Sequence, residues 1–61
     1  MNKEEIIDFM LDSINSDNRE MCKNNGLSEE DTQKQIDQSQ PALTFITANL
    51  YKKLKEAGVI V

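Results

Sequence analysis

The chain has no His, no Trp, one Cys, one Pro, one Tyr and two Gly among its 61 residues. Each shortage closes a route. No disulfide can form within a chain whose sole thiol is Cys22. A structural zinc site built from His and thiolate needs four such ligands, and Cys22 supplies one. Without His there is no Ser-His-Asp or Cys-His pair to activate a nucleophile. Two isolated glycines do not make a phosphate-cradling loop. No stretch approaches the roughly 20 apolar residues of a membrane span. The only apolar run at either end is Val59-Ile60-Val61. Residues 1–8 are acidic and lack the basic and apolar regions of a signal peptide. An unpaired thiol without an export signal predicts a cytoplasmic location.

What is present points to helices. Hydrophobic residues make up 38% and charged residues 30%, with 11 acids against 7 bases and a net charge of −4. A 7.0 kDa chain makes one small domain, expected over residues 1–61. A domain of this size buries only about 60% of its unfolded surface. Its core supplies no more than about 3–5 kcal/mol. With no disulfide or metal, stability must come from well-packed helices, self-association or both. Charge is uneven along the chain. Residues 1–24 and 25–40 carry −3 each, and residues 41–61 carry +2. That polarity suits antiparallel helices. A composition rich in Asn, Lys, Ile and Glu is common in AT-rich genomes, including those of low-GC bacteria and their phages.

Asn2 followed three residues later by Glu5 predicts a capping box, and Glu4, Glu5 and Asp8 suit the positive end of a helix dipole. Ile6, Ile7, Met10, Leu11 and Ile14 keep helical spacing, with Phe9 off the stripe. With no Gly or Pro before Gly26, one helix over about 3–23 is favoured over a short one ending near Ser16-Asp17-Asn18. Asn24-Asn25-Gly26 predicts its stop. Ser28 predicts a new N-cap with Glu29, Glu30 and Asp31 in the first turn. It opens a poorly apolar connector helix to Gln38, whose inward side would be Leu27, Thr32 and Ile36. Pro41 predicts a boundary, with Ser39 or Gln40 capping a third helix. There Leu43, Ile46, Leu50, Leu54 and Ala57 form a stripe, which puts Ile46 and Leu50 at the centre of the core. Gly58 predicts a left-handed helix ending, with Val59 folding back on Leu54.

Few residues suggest chemistry. Asp12 to Asp17 fails the calcium-loop pattern, with Ile14 where an oxygen ligand belongs. Glu29, Glu30 and Asp31 point in different directions on a helix. Asp17 interrupts the first stripe and reads as an edge position or a bend. No catalytic residue, metal ligand or cofactor is expected.

The segment from Thr44 to Ile60 resembles the recognition helix of winged-helix regulators. Leu50, Leu54, Glu56, Ala57, Gly58, Val59 and Ile60 match the Leu-x-x-Leu pair and the Glu-Ala-Gly-aliphatic turn that leads into the wing. The resemblance implies a small DNA-binding transcriptional regulator with a helix-turn-helix-like C-terminal half. Lys52, Lys53 and Lys55 would be its nucleic-acid contacts. The acidic residues before it argue against nucleic acid, because DNA-binding surfaces gather Lys and Arg.

The favoured expectation is an all-α fold: a small three-helix bundle, or a helical hairpin with a short connector helix, forming a dimer. Phe9, Phe45, Tyr51, Val59, Ile60 and Val61 are surplus to the stripes and mark a partner-binding surface. The expected function is that of a small acidic, non-enzymatic protein–protein interaction module. A phage or mobile-element inhibitor of a host protein would fit this size and acidity. The partners expected are another protein and a second copy of the chain, packed antiparallel, with no membrane.

Overall fold

The computed structural model describes residues 1–60 and contains two helices, α1 (Lys3–Asn24) and α2 (Glu29–Glu56). Contacts between them follow an antiparallel register. Lys3 meets Tyr51, Asn15 meets Gln40, and Arg19 meets Gln33. The molecule is a helical hairpin 40 Å long and 18 by 16 Å across. It has a loop half around residues 25–28 and an open half where α1 begins and α2 ends. As the charge pattern predicts, the acidic start of α1 lies beside the lysine-rich end of α2, both within one chain.

Both helices end through local chemistry that the sequence announces. The Asn2 side chain accepts from the Glu5 amide at 2.9 Å, and the Glu5 carboxylate accepts from the Asn2 amide at 3.3 Å, closing the capping box. The Ser28 hydroxyl accepts from the Asp31 amide at 3.1 Å. α1 stops at a Schellman turn. Gly26 takes a φ of 81°, its amide bonds the Lys23 carbonyl, and the Leu27 amide bonds the Cys22 carbonyl. α2 repeats this ending: Gly58 has a φ of 79°, its amide bonds the Lys55 carbonyl, and the Val59 amide bonds the Leu54 carbonyl. The Val59 side chain stays exposed. α1 runs unbroken through Asp17 and Asn18, and Asp17 is an exposed edge residue.

The three-helix expectation is corrected. The connector helix and the third helix are one helix of 28 residues that passes through Pro41. Proline deprives the Asp37 carbonyl of its helical donor and crowds that turn. Here Pro41 and Asp37 are both exposed, a setting in which solvent can reach a freed carbonyl. Ser39 and Gln40 do not cap a new helix. The Ser39 hydroxyl and the Gln40 amide each donate to the Ile36 carbonyl at 2.8 Å, tying down the loosened turn. An unbroken α2 leaves no turn before Thr44, so the helix-turn-helix arrangement expected there is absent from the described residues.

The core is also rotated from its expected position. The buried residues of α2 are Thr32, Ile36, Thr47 and Tyr51, and Leu43 and Leu54 are half-buried. Ile46 and Leu50 are instead 51% and 40% exposed, and Ala57 is exposed. The seam selects Thr47 because a small side chain lets two helices approach. Its hydroxyl is satisfied by the Leu43 carbonyl at 2.8 Å. Tyr51 follows one turn later as the large apolar body. On α1, Ile7, Leu11 and Ile14 are half-buried and Cys22 is buried. Cys22, Ile36 and Tyr51 are the only apolar residues counted as buried among those described.

Candidate interaction surface

Two helices have one seam and two flanks. In an antiparallel hairpin, the residues preceding the seam in helical angle fall on the same side of both helices. Those following the seam fall together on the other side. One flank is polar and cross-linked. Asn15 and Gln40 exchange two amide hydrogen bonds, at 3.3 and 2.9 Å. The Arg19 guanidinium donates to the Gln33 side-chain oxygen at 3.1 Å, and Gln33 Nε2 donates to the Asp37 carboxylate at 2.9 Å.

The opposite flank is apolar in the open half. Half-buried Ile6 and Met10 come from α1, and exposed Ile46 and Leu50 come from α2. Phe45, Ile46, Asn49, Leu50 and Lys53 line a shallow groove of about 320 Å³ along α2. Toward the loop the same flank carries Asp17, Met21, Gln35 and Ser39, and only Met21 is apolar. Charge divides at the same point. Residues 12–37 hold seven acids and three bases, a net −4. The remaining ionisable side chains, in residues 3–8 and 52–56, are four acids and four bases.

The expected partner-binding residues differ in exposure. Phe9, Phe45 and Val59 are 65%, 71% and 68% exposed. Ile60 is half-buried, and Val61 lies outside the described residues. Tyr51 is corrected from a surface residue to a core residue, only 8% exposed, with the Lys3 ammonium 5.7 Å from its ring centroid. Lys52 and Lys55 border the groove beside Lys3 and Tyr51, whereas Lys53 borders the groove beside Leu50. The three expected nucleic-acid contacts are thus divided between two sites. The Cys22 thiol is buried and points at the amide oxygens of Gln35 and Asn18, at 3.5 and 3.7 Å. Among the described residues no cluster of three or more His, Cys, Asp or Glu could hold a metal ion, and no helix is long and apolar enough to cross a membrane.

Ile46 and Leu50 are the residues of this candidate surface that stripe reading misplaced into the core. The signal that exposes the error is arc width. Leu43, Ile46, Leu50, Tyr51 and Leu54 span more of α2 than one partner helix covers. Comparison with family models, curated proteins and solved structures gives no match.

Proposed function

We propose that this protein is a non-enzymatic interaction module that binds protein through the apolar flank of its open half. One observation carries the reading. Ile46 and Leu50 stand exposed on the flank to which helical position assigns half-buried Ile6 and Met10, and only three apolar residues are buried among those described. Contiguous apolar surface on so small a molecule marks a contact site. The acidic loop half keeps the chain soluble and steers it toward basic surfaces. Its size and charge suit an inhibitor of a host protein carried by a phage or mobile element. Lys52, Lys53 and Lys55 would have to act together for a DNA-binding role, and salt-sensitive retention on duplex DNA is the check on that alternative.

Cross-linking in extracts of the source cell, with the wild type beside Leu50→Glu, tests the proposal. A protein cross-linked to the wild type and lost from the variant supports the apolar flank as the contact. Equal cross-linking of both overturns it.

A further inference from the structure

We infer that the occupant of this apolar flank is a second copy of the chain, docked antiparallel and staggered so that only the two open halves overlap. The inference rests on the flank being a protein-docking surface, and it names the partner and the arrangement. The chain exposes 4746 Å², whereas a folded monomer of 7.0 kDa exposes about 4,000 Å². The excess of about 700 Å² is close to the roughly 800 Å² that each partner buries in a standard interface. The radius of gyration tells the same story, at 13.5 Å against about 10.5 Å for a globular chain of this length. A hairpin that presents one apolar flank becomes half of a four-helix bundle when a copy covers that flank.

Lys3 lies level with Tyr51, and Asn15 with Gln40. By interpolation, Leu50 lies level with Glu4 and Glu5, and Ile46 with Asp8 and Phe9. Ile6, Met10, Ile46 and Leu50 therefore form one patch within about three turns of the open end. A fully overlapped antiparallel pair would set this patch against Asp17, Gln35 and Ser39, exchanging apolar contact for buried polar groups. A parallel pair would match patch to patch but bring two loop halves of net −4 side by side, where they repel. The staggered pair avoids both costs. Its open halves each carry as many bases as acids, and its acidic loops point apart. A twofold axis through the open halves relates the copies, the commonest symmetry for a self-complementary patch.

Sedimentation equilibrium and one distance test this. The full chain is expected to dimerise in the micromolar range. Leu50→Glu should weaken the dimer at least about tenfold, the loss expected when a central apolar contact is replaced by a charge. Leu50 is 40% exposed within the hairpin, so the dilute variant should keep wild-type helicity by circular dichroism. Met21→Glu, on the loop half of the same flank, should leave association unchanged. In a Cys22→Ser background, spin labels at Asn25→Cys should lie farther apart than the 40 Å length of one hairpin. A monomer up to about 100 µM, or a dimer indifferent to Leu50→Glu, overturns the inference. Loop labels close together overturn the staggered arrangement. A monomeric chain that still cross-links another protein through Leu50 removes the second copy as occupant and leaves the docking surface standing. A monomer with no Leu50-dependent cross-link removes both.

Discussion

The loop half and the open half are the same two helices held together by different means. Near the loop, the seam is made of Thr32, Ile36, Cys22 and Asn18, with amide bridges from Asn15 to Gln40 and from Arg19 to Gln33 alongside. A four-residue connection tethers the helices there, so little loop entropy opposes their contact. Hydrogen bonds of modest net value suffice and also fix the register. At the open half the turn is far away, and the helices must be held by apolar burial. Tyr51, Leu54, Ile7 and Leu11 supply it, and Ile6, Met10, Ile46 and Leu50 extend past what two helices can cover. Polar pairing near the turn and apolar excess away from it is the asymmetry on which the proposed dimer through the open halves rests.

The sharpest break in this comparison is Tyr51→Ala. It removes the largest buried side chain of the open half, and such truncations cost about 3–5 kcal/mol. That equals the whole core contribution of a domain this small, so loss of the cooperative thermal transition is expected. Leu50→Ala in the dilute monomer should cost less than half as much, because Leu50 is 40% exposed. Denaturant midpoints that rank the two in the opposite order would restore the stripe centred on Ile46 and Leu50.

Gly26 and Gly58 both hold left-handed backbone, near 80°, with open space where a Cβ would stand. A β-branched residue is strained at either position, by about 1–2 kcal/mol. Gly26→Val should show the full cost, since the loop cannot relax without parting the helices. Gly58→Val should show less, because the last turn of α2 can fray. Equal melting shifts would mean that the loop is not what aligns the two helices.

Much of this hairpin is legible in the sequence, and the part that is not has a physical cause. Caps and stops are local, so Asn2, Glu5, Ser28, Gly26 and Gly58 announce themselves through chemistry that acts within four residues. Pro41 misleads because its local preference for a boundary is weaker than the gain from continuing one seam past it. Neighbouring Ser39 and Gln40 donate to the Ile36 carbonyl and mend the turn. Ile46 and Leu50 mislead because periodicity marks an apolar arc without showing which edge of it meets the partner helix. Thr47 is invisible to an apolar count, although it is fully buried. Its small size and self-satisfied hydroxyl matter only once a second helix lies against it.

Smaller effects probe the polar half. Asn15→Leu alone should cost about 1 kcal/mol by leaving the Gln40 side-chain oxygen without its Asn15 donor, while Gln40 Nε2 keeps the Ile36 carbonyl. Asn15→Leu with Gln40→Leu should cost no more than the single change, since replacing both members removes the unsatisfied oxygen and gives up only the Gln40 bond to the Ile36 carbonyl. A double-mutant cycle from urea unfolding measures the difference, and additive losses would deny that the pair acts as a unit. The smallest effect belongs to Lys34→Ala. It removes an exposed pair with Glu30 at 3.8 Å, worth no more than about 0.5 kcal/mol. A larger shift in the melting temperature would show that the loop half leans on surface charge.

The most direct test of the central claim is the melting temperature of the wild type and of Leu50→Glu from about 1 to about 100 µM. Association through the open half predicts a wild-type melting temperature that climbs with concentration and a Leu50→Glu value that stays flat, the two converging on dilution. A flat wild-type line, or a variant that climbs in step with it, would contradict the account.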